Sequence, residues 1–342
     1  MPPATYEPVE SPDATTVFPY HDLTPPTTAD VYEARRVVRR YLPETPLVRS
    51  EFLSAELDAE VYLKREDTLP TGAFKVRGGV TLGARLDDDF RERGLIAAST
   101  GNHGQSVAYA GREFDVPVTI SVPENPNLGK VRSMERMGAT VEEHGPNYDA
   151  AREHAERQAA EEGYRYVHSA NEPDLLAGVG TAGLEVLDEL PDVDRVFCPV
   201  GGGSGAAGYC LTLGAIADAR VIGVQAEDAD AVYRGWHEGH LEPGTESDTT
   251  AEGIASHVPF ALPMKVMRER LNDLETVTDG EIWTAVAATF REENLTVEGA
   301  TGAAIAATLR AGTELAGEVV VVPVTGRNVA ATKLVRALEE AS

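Results

Sequence analysis

Residues 94–123, GLIAASTGNHGQSVAYAGREFDVPVTISVP, decide the fold. Leu95 to Ala98 form an apolar run with no polar alternation, the pattern of a strand covered on both faces. Residues 104–114, GQSVAYAGREF, read as a helix, and 117–123, PVTISVP, as a second buried strand. A strand, a helix and a strand in that order form a parallel crossover unit, because parallel neighbours need a long connection. The alternation continues outward. LGKVRSMERMG (128–138) is a helix with Leu128, Val131, Met134 and Met137 on one stripe. ATVEEHG is a strand, and YDAAREHAERQAAEEG (148–163) is a helix capped by Asn147 and stopped at Gly163. YRYVHS is again a strand.

A second alternation starts at 175. LLAGVGTAGLEVLDEL reads as a helix, DRVFCPV as a strand and GAAGYCLTLGAIADA as a helix after a glycine loop. RVIGVQAE, LTVE (295–298) and EVVVVPVT follow as strands. GEIWTAVAATFREEN, GAAIAATLRAG and a last segment from Val329 follow as helices. Upstream, TADVYEARRVVRRYL is a helix with Thr28 as its expected N-cap. The expected class is α/β, with two doubly wound parallel-sheet domains. Residues 92–169 form a small unit inserted into a large one built from 1–91 and 170–342, and residues 1–30 are expected to form an extended arm.

Composition narrows the function. The 342 residues carry 30 basic and 56 acidic side chains, a net charge of −26, so nucleic acid and anionic membranes are repelled. The acids are scattered, as on the heavily hydrated surfaces of proteins that work in high salt. No apolar run reaches the length of a membrane span and no secretory signal opens the chain, so a cytoplasmic location is expected. Cys198 and Cys210 both sit in apolar segments and give neither a disulfide framework nor a zinc site. Only five lysines occur, at 64, 75, 130, 265 and 333, so each is a candidate for a specific task.

Three segments carry chemistry. PVGGGSGAAG (199–208) lies between a strand and a helix, where clustered glycines let backbone N–H groups converge on a phosphate. The plain alternative is a tight turn. A rival is the dinucleotide fingerprint formed by Gly203, Gly205 and Gly208, with Glu227 beyond the next strand. KREDTLPTGAFKVRGG (64–79) places Lys75 at the start of a helical segment. A cation there opposes the helix dipole, and Arg77 is near in sequence. Both effects favour a neutral amine suited to Schiff-base formation. STGNHGQS (99–106) lies just past a strand's C-terminal end, where open α/β sheets bind ligands, and offers a carboxylate-sized anion site. Its plain alternative is a capped helix start.

Taken together, TPLVRS, LKREDTLPTGAFKVRGG, STGNHGQSVAYAG, GVGTAGLEVL, PVGGGSGAAG, TAEGIA, VEGATGAAIAA and VTGRN resemble the pyridoxal-phosphate-dependent threonine dehydratase and serine racemase family. That family belongs to the tryptophan synthase β superfamily of fold type II. The resemblance implies that pyridoxal 5'-phosphate is joined to Lys75 with Phe74 beside its ring. Asn102 then faces the phenolic oxygen, Gly201, Gly202, Gly203, Ser204 and Gly205 hold the phosphate, and Thr325 faces the pyridine nitrogen. Ser99, Thr100, Gly101 and His103 surround the substrate carboxylate. The implied reaction is dehydration of threonine, serine or a related β-hydroxy amino acid to a 2-oxo acid and ammonia, by a homodimer. A hydroxyl at the pyridine nitrogen, in place of a carboxylate, favours prompt β-elimination.

Some positions depart from the family pattern. Ala73 stands where dehydratases have serine, and Ser204 where they have glycine. Thr100 replaces alanine, which leaves racemisation open. Gln225 replaces the glutamate of members with a divalent-cation site, and no metal site is assigned. Arg327 replaces a glycine and is free in sequence terms to pair with Glu298. A β-replacement enzyme, an NAD-binding oxidoreductase and a non-catalytic binding protein remain the alternatives.

Overall fold

The computed structural model describes residues 24–244 and 247–340. Two parallel sheets dominate it. Ten strands run in chain order: β1 (Leu47–Arg49), β2 (Glu60–Lys64), β3 (Leu95–Ala98), β4 (Val118–Val122), β5 (Thr140–Glu143), β6 (Arg165–Tyr166), β7 (Arg195–Pro199), β8 (Arg220–Ala226), β9 (Asp273–Val277) and β10 (Val319–Pro323). The four-stranded sheet has the order β5-β4-β3-β6 and is parallel throughout. The six-stranded sheet has the order β1-β2-β10-β7-β8-β9, parallel except for the antiparallel edge strand β1.

The centre of the large sheet explains itself. Val320, Val321 and Val322 of β10 are fully buried, because helices cover both faces and no position faces water. One apolar layer packs β8 and β10 against the helices Asp279–Glu293 and Gly299–Ala311. Another packs β7 against Pro173–Glu189 and Ala261–Arg270.

Both sheets reverse direction in the middle. In the small sheet the chain steps from β3 to β4 to β5, then returns to place β6 on the other side of β3. In the large sheet it steps from β7 to β8 to β9, then returns to place β10 beside β7. A crevice opens at each reversal, because the connections on either side leave toward opposite faces.

Several elements differ from expectation. The first helix is Thr28–Tyr41, and its cap is Thr27, which closes a capping box with Asp30. Most of the expected arm over residues 1–30 lies outside the described residues. Residues 295–298 are not a strand. The slot beside β8 is filled by β9, whose alternating DLETV suits a half-exposed edge and was not foreseen. Glu298 bonds instead through its N–H to the Gly326 carbonyl at 3.0 Å. The helix expected over 205–219 stops at Cys210. The Thr212 hydroxyl donates back to the Gly208 carbonyl at 2.9 Å, and a π-turn follows over Leu213–Ala217. The helix Tyr148–Glu162 has its expected Asn147 cap and Gly163 stop. Cys198 and Cys210 are free and buried, and burial pushes both thiols up, Cys210 to about 12, so they are inert. Among the described residues no helix is long and apolar enough to cross a membrane.

Candidate active site

The two reversal crevices face one another across a single cavity of about 750 Å³. The small sheet contributes the loop after β3 (99–103) and Ser169 after β6. The large sheet contributes the glycine loop after β7 and Thr325 after β10. Lys75 enters between them from the start of the helix Val76–Ala84.

The Lys75 amine spans both sheets. Its Nζ donates to Ser204 Oγ at 2.7 Å and to the Ser169 carbonyl at 3.1 Å. Burial lowers its pKa from 10.5 to about 8, with the Glu298 carboxylate pulling the other way. The depression matches expectation, but its cause does not. Arg77 takes no part, because it is buried away from the cavity in ion pairs with Glu66 and Glu185.

The glycine loop is built for close approach. Gly203 has φ +86°, a backbone conformation costly for any side chain, and a Cβ on Gly201 would lie 2.6 Å from the Gly253 carbonyl. Gly205 sits against the Phe74 ring, its Cβ position 3.4 Å from that ring. Gly202 and Ser204 complete the cavity wall. Gly208, the last glycine of the rival dinucleotide pattern, has a packing reason: a Cβ there would meet the Gly180 backbone at 2.9 Å.

In the loop after β3, Ser99 Oγ accepts from the Gly101 and Gly104 N–H groups at 3.2 and 2.9 Å, so this hydroxyl shapes the helix start. Thr100 and Gly101 line the cavity, Thr100 with an exposed side chain. Asn102 Nδ2 donates to both Glu298 carboxyl oxygens at 3.0 Å, and its Oδ1 accepts from Asn328 Nδ2 at 2.7 Å. Asn328 Nδ2 also donates to the Thr71 carbonyl. Two partners of opposite type therefore fix the Asn102 amide. His103 is buried, and its Nε2 lies 2.9 Å from the Val167 carbonyl, which requires that nitrogen to donate. Burial, then the Lys75 charge, lowers its pKa to about 4, so it is a neutral ring rather than a cation for a carboxylate. Thr325 is buried with its hydroxyl 3.2 Å from that of Thr301.

The structure thus brings every residue to which the resemblance gave a cofactor, catalytic or substrate role to one cavity, but not Arg77, Gly208, Gln225, Glu227 or Arg327. It adds residues the sequence reading missed: Ser169, Glu298 as the partner of Asn102, Thr301, Asn328, and the helix face carrying Tyr148 and Arg152. Arg327 does not pair with Glu298. It is exposed and lies against Gly72. Gln225 is engaged structurally, accepting from the Tyr233 N–H at 2.8 Å.

A buried amine of lowered pKa beside a glycine-rich anion cradle fits an aldehyde that carries a phosphate. The chain belongs to the family described as pyridoxal-phosphate dependent enzyme, which matches residues 38–326. It uses pyridoxal 5'-phosphate and has the fold type II architecture. Among its relatives, an L-threonine ammonia-lyase of Thermotoga maritima is 34% identical over 304 residues, 89% of this chain and 76% of the relative. A beta-hydroxyaspartate dehydratase of Paracoccus denitrificans is 30% identical over 90% of this chain and 98% of the relative. The processed form of threonine deaminase isoform 2 from Solanum lycopersicum superposes with a TM-score of 0.86 at 28% identity, covering 93% of this chain and 96% of the other. This membership leaves the dinucleotide reading without support.

Proposed function

We propose that the protein is a pyridoxal-phosphate-dependent ammonia-lyase that converts threonine, serine or a related β-hydroxy amino acid to a 2-oxo acid and ammonia. The observation that carries this reading is the Lys75 amine, held between Ser204 and Ser169 in the shared cavity with a pKa near 8. The bound cofactor supplies an electron sink for the bonds at the substrate Cα. The protein supplies position and proton transfer. Lys75 Nζ, when not joined to the cofactor, would be the base at Cα, because a burial-lowered pKa keeps much of it neutral near pH 8. Phe74 and Gly205 would form the face for the ring, and the backbone N–H groups of Gly201, Gly202, Gly203, Ser204 and Gly205 would hold the phosphate. Asn102, pinned by Glu298 and Asn328, holds its amide toward the phenolic oxygen, and Thr325 offers a hydroxyl to the pyridine nitrogen. The loop of Ser99, Thr100, Gly101 and His103 would surround the substrate carboxylate. The Ser99 and Gly101 N–H groups are given to the Ser121 carbonyl and to Ser99 Oγ, which leaves those of Thr100 and Asn102 to bind it, while neutral His103 shapes that pocket.

The direct test is an absorbance spectrum of the purified protein, followed by an amino-acid panel assayed for ammonia and 2-oxo acid. A visible band with turnover of threonine or serine is expected. A bound cofactor with no hydroxy amino acid consumed refutes the lyase reading. The acidic composition predicts that activity rises with salt to molar concentrations, and a homodimer is expected on size-exclusion chromatography under the same conditions.

Two further results are expected at this site. The neutral fraction of Lys75 grows as pH rises through about 8, so cofactor uptake by the apoprotein should accelerate with a midpoint near 8. The growth of the visible band measures it. A midpoint near 10.5 would mean an ordinary, hydrated lysine. In Gly203→Ala, a Cβ is forced into a left-handed backbone, 2.9 Å from Met267 Cε. A strain of about 1–2 kcal/mol is expected, with cofactor affinity weakened roughly tenfold in a fluorescence titration.

A further inference from the structure

The cavity wall opposite the glycine loop is one face of the helix Tyr148–Glu162, and it carries Asp149, Arg152, Glu153 and Glu156. Arg152 is the one cation on that face, and it already has partners. Its Nη1 donates to Glu156 Oε1 at 3.1 Å, and its Nε lies 3.8 Å from Asp149. Glu156 is only 4% exposed, which keeps water out of the pair. Arg152 lines the same cavity as Lys75 and the buried His168.

The remaining cations at the mouth are also taken. Lys130, from the helix after β4, and Lys333, from the C-terminal helix, both pair with Glu252. The cavity as a whole holds four cations, Lys75, Lys130, Arg152 and Lys333. It holds five carboxylates, Asp149, Glu153, Glu156, Glu252 and Glu298. At the mouth, Lys130 and Lys333 share the single carboxylate of Glu252. At Arg152, a second carboxylate at the distal end of a substrate would find a cation already paired within the protein. It would have to displace a built-in carboxylate or sit beside Glu153 and Asp149. A methyl or hydrogen at that end meets no such penalty.

We propose that Glu156 is a specificity-determining residue: by occupying Arg152 from within the protein, it excludes dicarboxylic β-hydroxy amino acids and restricts the enzyme to substrates with an uncharged side chain. This rests on the ammonia-lyase reading and goes beyond it, since the chain is similar both to a threonine ammonia-lyase and to a beta-hydroxyaspartate dehydratase.

The test compares kcat/KM for threonine and for 3-hydroxyaspartate in the holoenzyme, at one fixed salt concentration because screening weakens every charge involved. In the unaltered enzyme the ratio should favour threonine. Glu156→Gln keeps the shape and a hydrogen bond to Arg152 but removes the counter-charge, and should shift the ratio toward 3-hydroxyaspartate by about tenfold or more. Adding Arg152→Gln to that variant should abolish the shift, because the gain runs through Arg152. Arg152→Gln alone should leave the ratio within about twofold of the starting value. Three outcomes overturn the proposal. One is an unaltered enzyme that prefers 3-hydroxyaspartate. Another is a folded, cofactor-bound Glu156→Gln with an unchanged ratio. The third is an Arg152→Gln protein that selectively loses 3-hydroxyaspartate, which would make Arg152 a free anchor. Should Glu156→Gln fail to fold, the first and third outcomes still decide. Failure to consume either substrate is a different result and counts against the lyase reading.

Discussion

Lys75→Ala is expected to eliminate the visible absorbance of the cofactor linkage and to lower turnover by roughly 10⁴-fold or more, while the chain remains folded. Among the described residues no other lysine is placed to replace it; Lys265 is exposed and does not line the cavity. Lys64 is fully buried against Glu185 and the Thr45 carbonyl, and Lys130 and Lys333 are tied to Glu252 at the cavity mouth. Lys75→Arg should be equally inactive, since a guanidinium does not deprotonate to a nucleophile near neutral pH. Loss of stability is not the reason for inactivity. The lysine contributes two hydrogen bonds, to Ser204 and to the Ser169 carbonyl, in a cavity where water can take both over. The sign of the pKa shift points the same way. A lysine whose folded pKa is depressed to about 8 from 10.5 is charged at a desolvation cost below pH 8, and that cost fades only as pH rises toward 10.5. The apo form of Lys75→Ala should therefore melt at or above the temperature of the unaltered apoprotein at pH 7, the two converging above pH 10. A variant that is inactive and also melts much lower would assign Lys75 a structural role. A variant that keeps the visible band would refute the linkage outright.

Fold and site were unequally legible in the sequence, for physical reasons. Continuous apolar strands such as LIAA and VVVV declare a parallel sheet, because burial on both faces removes every polar position. The edge strands of the small sheet, β5 and β6, also declared themselves, but the outer edge of the large sheet did not: β9 alternates weakly, and the apolar LTVE is buried without joining a ladder. The glycine loop, Lys75 and STGNHG were legible because each needs a residue type that few structural tasks demand. The supporting groups were not. Glu298 read as the end of a strand, and Thr301 fell between that strand and the helix expected from Gly302. Their importance lies in contacts to Asn102 and Thr325 from distant parts of the chain. Arg77 shows the opposite hazard. Its nearness to Lys75 in sequence suggested electrostatic help, whereas the first helical turn rotates it into the core.

That core site carries the second large effect. Arg77 is fully buried and its guanidinium donates to both Glu66 oxygens at 2.6 and 2.8 Å, to both Glu185 oxygens at 2.7 Å, and to the Thr45 and Thr181 hydroxyls at 3.1 Å. Lys64 donates to the same Glu185 at 2.7 Å. Two cations and two carboxylates thus share a water-free space, each satisfied only while all four remain. Arg77→Met keeps the volume but strands Glu66 and shares Glu185 with Lys64 alone, and is expected to cost about 3–5 kcal/mol, read as a lower denaturant midpoint at fixed salt. Arg77→Lys should recover little, because one ammonium cannot reach both carboxylates. Neutralising the stranded acid in Arg77→Met/Glu66→Gln should return part of the loss, which separates a buried-charge penalty from lost packing. The pH dependence follows from Glu185. Burial raises its pKa, but hydrogen bonds and charge from Arg77, with Lys64, hold it at about 2. Its contribution to stability is therefore present above the unfolded value of about 4.5 and is lost as pH falls toward 2. Arg77→Met should flatten that acid limb. The functional consequence is positional: the cluster ties Glu66 after β2, Thr45 before β1 and the helix Pro173–Glu189 to the first turn after Lys75. Loosening it should lower cofactor occupancy as well as stability. An Arg77→Met protein with an unchanged denaturant midpoint would show that the four charges contribute no net stability.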